Sequence, residues 1–266
     1  MLLTFSKEIF SIPFLESFLE KKVVLYSQKV DLNQVTGVIG WGLKPTAKKA
    51  RDFARKHGLP YYALEDGFVC SYGLRVNGYP PLSLIVDPVG IYYNANAPSL
   101  LEEILNHYEF TKDELEEGEK ALKVIIEKKI TKYNYAPFAE KDILKGKKEK
   151  RVLVVDQTYK DASVLYGWAK ENTFRDMLSK AKEENPEADI YVKIHPDVLS
   201  GKKKGYLFEL AKKDKEVFFI AEDVNSISLL EFFDKVYTVS SQMGFEALLL
   251  GEEVQCFGVL FYAGWG

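Results

Sequence analysis

Short apolar runs ending in Gly, Pro or a charge alternate with segments of helical period along most of this chain, and that alternation restricts its fold more than any other feature. Residues 22–27 and 35–40 read as strands. Residues 46–57 read as a helix stopped by Gly58 and Pro60, and 61–64 as the next strand. Strand, helix and strand in that order predict a βαβ unit and a parallel sheet. Another apolar run, 82–86, precedes two helices that begin at Ser99-Leu-Leu-Glu102 and Thr111-Lys-Asp-Glu114. Both tetrapeptides have capping-box spacing, and in the second helix Leu115, Leu122, Ile126 and Ile130 form one face. The start, MLLTFSKEIFSIPFLESFLEKK, carries internal charges and no cleavage-site pattern. It reads as strand, turn and helix rather than a signal peptide.

The run EKDILKGKKEKR over 140–151 is a solvated stretch of charge, and it predicts a boundary between domains 1–145 and 146–266. A second α/β series follows it. Strands are expected at 151–155, 190–194, 217–220, 236–239 and 254–257, and helices at 174–184, 227–233 and 245–250. Two α/β halves predict two facing Rossmann-like domains, whose ligands bind beyond the carboxyl ends of the strands.

Several function classes are excluded early. The net charge of −3 supplies no global field for nucleic acid. Cys70 and Cys256 stand too far apart for a disulfide framework or a CxxC zinc spacing, which fits a reducing cytoplasm. No apolar run approaches the 18 residues of a membrane span. GxGxxG, HExxH, GxSxG and a metal-binding Asp-x-Asp pair are all missing. Gly201-Lys-Lys-Lys-Gly205 lacks the spacing of a phosphate loop, so it reads as a solvated loop or as a contact for an anionic acceptor or membrane surface.

The residues just after each strand carry the chemistry. Glu65 and Asp66 are either a cap and turn or a pair that can deprotonate an acceptor hydroxyl. Asp161 is either the N-cap of the next helix or a carboxylate nucleophile. Lys193 and His195, two residues apart at a strand end, are expected on one face. There they can be core and surface residues or can grip a phosphate leaving group. Ser240 and Ser241 lead into a helix through Gly244, Phe245 and Glu246, as an ordinary cap or as an anion-binding helix start.

Taken together, ordered motifs across the chain from about residue 36 onward resemble one family, the KpsC-type capsule polysaccharide β-Kdo transferases. The resemblance is carried in the first half by Gly40-Trp-Gly-Leu-Lys-Pro-Thr46, Leu64-Glu-Asp-Gly-Phe68, Pro80-Pro-Leu-Ser-Leu-Ile-Val-Asp87, Gly90-Ile-Tyr-Tyr93 and Thr131-Lys-Tyr-Asn134. In the second half it is carried by Val155-Asp-Gln-Thr158 with Asp161, Val192-Lys-Ile-His-Pro-Asp197, Ser241-Gln-Met-Gly-Phe-Glu-Ala-Leu248 and Phe261-Tyr-Ala-Gly-Trp-Gly266.

The resemblance implies a GT-B-like glycosyltransferase. That family carries two related modules in tandem, and the Val-Asp-Gln-Thr stretch is similar to the amino-terminal, β-2,4 type. Relatives continue into further helices after the Gly-Trp-Gly motif.

The implied donor is CMP-β-Kdo, with no other cofactor and no metal. The implied acceptor is a Kdo-primed lysophosphatidylglycerol, with capsule assembly proteins and the inner face of the membrane as further partners. Retention of configuration implies a covalent intermediate on Asp161. Gln157, Lys193, His195, Ser240, Ser241, Gly244, Phe245 and Glu246 are the implied donor-side residues, and Glu65 or Asp66 takes the acceptor's proton. One departure stands out. Where the family has an arginine after Glu-Asp-Gly-Phe, this chain has Cys70, and Arg75 follows where the family often has glycine. Arg75 would then have to grip the sugar or acceptor carboxylate. Two rival expectations are a transferase of the same fold with another nucleotide sugar, and a non-catalytic module that binds anionic glycolipid.

Overall fold

The computed structural model describes residues 1–264 except 196, 197, 199 and 200, and leaves out the side chain of Val76. The Pro-Asp of the His-Pro-Asp motif and the final Trp-Gly therefore lie outside the described residues.

The chain forms two compact units, Met1–Glu109 and Phe110–Gly266. The first is built on strands β1 (Leu2–Thr4), β2 (Val23–Leu25), β3 (Gly37–Trp41), β4 (Tyr61–Asp66) and β5 (Leu84–Asp87). They lie side by side in the order β2-β1-β3-β4-β5. β1 to β4 are parallel, while β5 pairs with β4 antiparallel, Glu65 opposite Ile85. Helices α1 (Lys7–Phe10), α2 (Leu15–Leu19), α3 (Lys48–His57) and α4 (Leu100–His107) complete it. Gly58, at φ +63°, ends α3 in the left-handed conformation that its sequence position predicts. Leu2, Ile9, Ile39 and Leu64 are buried between the sheet and its helices.

The second unit begins with α5 (Lys112–Lys128). Its predicted capping box forms in full, with Thr111 N donating to Glu114 Oε2 at 2.8 Å and Glu114 N to Thr111 Oγ1 at 3.3 Å. At α4 only half of the box forms. Ser99 Oγ accepts from Glu102 N, and the second acidic capper of that turn is Asp87, whose Oδ2 accepts from Leu100 N.

Strands β6 (Lys150–Val155), β7 (Ala188–Lys193), β8 (Val217–Ile220), β9 (Lys235–Thr238) and β10 (Glu253–Cys256) form an all-parallel sheet ordered β10-β9-β6-β7-β8. The helices are α6 (Ala162–Tyr166), α7 (Glu171–Glu184), α8 (Phe208–Ala211), α9 (Ser226–Leu230) and α10 (Gln242–Leu250). As a parallel sheet covered on both faces demands, β6 and β7 are nearly continuous apolar runs. One face packs Val152, Val154, Phe174 and Met177; the other packs Leu153, Tyr191, Leu229 and Val236. Each fully buried side chain of this size contributes about 1.5–3 kcal/mol.

The division between units falls ahead of the charged run 140–151 where the sequence places it. Residues 129–139 are bonded to the second unit: Asn225 Nδ2 donates to Lys129 O (2.7 Å), Asn225 N to Pro137 O (2.8 Å) and Ala139 N to Ser228 Oγ (2.8 Å). A charge run marks solvation, and here the solvated stretch lies inside a unit.

Candidate functional site

The second sheet has one topological switch point. From β6 the chain moves to β7 on one side, and later returns to β9 on the other. Loops leaving the carboxyl ends of β6 and β9 diverge there, leaving the crevice in which open α/β sheets bind ligands. Gln157 follows β6 and Ser240 follows β9. Across the switch point Ser240 N donates to Gln157 Oε1 (2.8 Å), and Gln157 Nε2 donates to Ser240 Oγ (2.8 Å). Ser240 Oγ lies 2.9 Å from Ser163 Oγ, and Ser163 donates to Asp161 Oδ1 through both its amide (2.8 Å) and its hydroxyl (2.7 Å). Asp161 is thus the N-cap of α6 and, through Ser163, a member of a polar chain spanning both loops. It is only half-buried. Of the two sequence readings of Asp161, the cap is the one seen directly.

Asp156 is the residue that sequence reasoning passed over. It is 3% exposed, and its Oδ1 accepts from the amides of Gln157, Tyr206 and Leu207 at 2.8–2.9 Å. Among the described residues its Oδ2 has no hydrogen-bond partner, and a Cβ on Gly205 would run into that oxygen. Burial pushes the carboxyl up to about 6, against the pull of those amides. Asp156 clips the 204–207 strip onto the end of β6, helped by Tyr159 N to Lys204 O (2.7 Å) and the Thr158–Gly205 bridge. The exposed lysines of the 201–205 loop are therefore tethered beside the loop that carries Asp161. The available clue was an aspartate directly after a run of buried valines.

Lys193 and His195 differ in exposure. β7 ends at Lys193, and the next amide still bonds to β8, Ile194 N donating to Ile220 O at 3.0 Å. Lys193 is buried, and its Nζ donates to Ile194 O (3.1 Å) and Glu222 O (3.0 Å); burial pushes its ammonium down to about 8. His195 is exposed.

Ser241 caps α10, its Oγ accepting from Met243 N at 3.2 Å. Gly244 leaves the space that the Tyr262 hydroxyl enters, and Phe245 packs its ring 5.3 Å from that of Phe261. Glu246, 4% exposed, accepts from Thr131 Oγ1, which lies 2.6 Å from Ser226 Oγ. These last three residues therefore support α10 and the 131–134 turn.

The first unit holds its own charged cluster where β3 and β4 end. Lys44 Nζ donates to Glu65 Oε1 at 3.0 Å, and Arg75 is ion-paired to Asp66. Both cations also lie over the Trp41 ring, at 5.4 Å for Lys44 and 4.4 Å for Arg75. Two hydrogen bonds hold the loop after β3: Leu43 N donates to Tyr93 Oη (2.9 Å), and Tyr61 Oη to Gly42 O (2.8 Å). Arg75 thus reaches the Glu-Asp-Gly motif from five positions downstream of Cys70, which is buried.

The fold is a two-unit α/β protein with a hydrogen-bonded polar chain at the switch point of the second sheet. The chain matches the capsule polysaccharide biosynthesis protein family over residues 36–266, and it belongs to that family. It is 51% identical to Thermosulfurimonas dismutans KpsC, β-Kdo 2,4 transferase, with a TM-score of 0.92, covering 100% of this chain and 82% of that one. The β-Kdo 2,7 transferase of the same KpsC matches at 28% identity and a TM-score of 0.67, over 100% and 81%. The capsule polysaccharide modification protein LipA of Neisseria meningitidis serogroup B is 48% identical over 239 residues, 89% of this chain and 34% of LipA. The lipopolysaccharide-processing protein LpsZ of Rhizobium meliloti is 35% identical, over 85% and 51%. The chain therefore spans a third to a half of the length of these curated relatives. Among the described residues no helix is long and apolar enough to cross a membrane.

Proposed function

We propose that this chain is a retaining β-Kdo transferase of capsule polysaccharide synthesis, of the 2,4-linking type. It moves Kdo from CMP-β-Kdo to a Kdo-primed lysophosphatidylglycerol through an ester on Asp161. The observation that carries the proposal is the chain Gln157–Ser240–Ser163–Asp161 at the switch point of the second sheet, in a protein 51% identical to a β-Kdo 2,4 transferase.

In the first displacement a carboxylate oxygen of Asp161 bonds to C2 of the sugar, and the C2–O bond to CMP breaks with its electron pair leaving on the phosphate. C2 passes through an oxocarbenium-like state that a neighbouring carboxylate stabilises and traps. In the second displacement the acceptor hydroxyl attacks C2, the ester pair returns to Asp161, and the hydroxyl proton passes to a general base. The amides at the start of α10 and the exposed His195 are suited to the phosphate charge. Lys193 acts more remotely, because its ammonium is held on two backbone carbonyls. Arg75 binds the carboxylate of the acceptor sugar. The exposed lysines at 202–204 favour work at an anionic membrane surface on the cytoplasmic side.

Intact-mass spectrometry of the protein mixed with CMP-Kdo tests this reading. A gain of one Kdo that disappears in Asp161→Ala is expected. CMP release from only a different nucleotide sugar would replace the donor, and full turnover by Asp161→Ala would end the covalent route.

A further inference from the structure

We infer that Ser163 and Ser240 are positioning residues that determine which oxygen of Asp161 reacts, an inference resting on the assignment of Asp161 as the nucleophile. The hydrogen count gives the chain one direction. A backbone amide can only donate, so Ser240 N fixes the Gln157 amide with its oxygen on that amide and its NH2 on Ser240 Oγ. A serine hydroxyl has one hydrogen. Ser163 gives its hydrogen to Asp161 Oδ1, so across the 2.9 Å contact with Ser240 it accepts. Ser240 Oγ also lies 3.2 Å from Gln157 Oε1, but the 2.9 Å contact with Ser163 is the shorter and takes its one hydrogen, so the order is Gln157 NH2 to Ser240 OH to Ser163 OH to Asp161 carboxylate.

The consequence falls on the two carboxylate oxygens. Oδ1 takes two hydrogen bonds from Ser163, while Oδ2 takes none from any described residue. An N-cap needs only the amide contact. The additional link from Ser163 to the β9 loop makes Asp161 answer to both sides of the switch point. Oδ2 is then the oxygen that forms the ester bond to C2, and Oδ1 becomes the ester carbonyl. When the acceptor displaces the sugar, the bond to Oδ2 breaks and its electron pair restores the carboxylate. The two donors on Oδ1 stabilise that returning charge, and the linked hydroxyls polarise one another.

The test compares Ser163→Ala, Ser163→Thr and Ser240→Ala with the unaltered chain and with Asp161→Ala, all in CMP-Kdo. Adduct formation is followed by intact mass and turnover by CMP release. Ser163→Ala should lower kcat and the rate of adduct formation ten- to a hundredfold with KM for CMP-Kdo within twofold, the loss typical of one hydrogen bond to a charged group. Ser163→Thr, which keeps the hydroxyl, should recover most of it, and Ser240→Ala should show a smaller loss of the same kind. An unchanged kcat in Ser163→Ala, a change confined to KM, or a threonine variant as slow as the alanine variant would overturn the inference while leaving Asp161 as nucleophile. Full activity in Asp161→Ala would remove both.

Discussion

Arg75 stacks on Trp41, its guanidinium carbon 4.4 Å from the indole centroid, and pairs with Asp66 in the same pose. A planar cation held over an aromatic face keeps its fork aligned for a bidentate carboxylate, which lysine cannot copy. Arg75→Lys and Arg75→Ala should each raise KM for the acceptor about tenfold or more, while KM for CMP-Kdo stays within twofold. Steady-state kinetics with each substrate varied in turn checks this. A change confined to the donor would place Arg75 on the other substrate.

Asp161→Asn keeps an acceptor oxygen for the Ser163 contacts and removes the negative charge that the proposed covalent route needs. Turnover should fall at least a thousandfold and the sugar adduct should vanish. Asp161→Ala loses the helix cap as well, at about 1 kcal/mol, which lowers Tm by about 2–4 °C in a protein of this size. Thermal melts beside the activity assay separate the two effects.

Burial holds the Asp156 carboxyl at about 6 in the folded chain against an ordinary 3.8. Between those values the folded state keeps a proton that the unfolded state has released. Stability from this group therefore falls as pH rises from about 4 to 6. The full interval is worth up to about 3 kcal/mol. Asp156→Asn should remove that dependence, so urea midpoints of the unaltered chain minus those of the variant should decline from pH 4 to pH 7. A flat difference would mean that the carboxyl titrates near its ordinary value.

Reversing Lys202, Lys203 and Lys204 to glutamate should weaken binding to phosphatidylglycerol vesicles. Each exposed lysine near an anionic surface is worth about 1 kcal/mol, roughly fivefold in affinity. Cosedimentation at low and high salt reads the effect, which should shrink as salt rises. Equal binding by the reversed chain would show that this loop does not meet the membrane.

Most of the architecture could be read from periodicity. The strands expected at 151–155 and 236–239 appear as Lys150–Val155 and Lys235–Thr238, because buried parallel strands are almost pure apolar runs. The antiparallel turn of β5 could not be read, since 82–86 looks the same in either direction. The link from Asp161 to Ser240 joins residues 79 positions apart in the chain, and only the sheet order reveals it. The burial of Lys193 on two backbone carbonyls could not be read either, since a lysine at a strand end looks like a surface residue. The bond from Thr131 to Glu246 is equally hidden, because nothing in the local sequence announces it.

That carboxylate has a practical consequence for dissecting the chain. Glu246 is almost wholly enclosed, burial pushes its pKa up, and one of the hydroxyls that satisfy it comes from residue 131. A fragment cut at 146 would strand an acidic group inside the sheet's flank with part of its solvation gone. A fragment starting at Phe110 carries the hydrogen-bonding hydroxyl of Thr131 with it. The place to sever this polypeptide is therefore the short stretch between α4 and α5, and the lysine-rich run that resembles a tether is an internal seam.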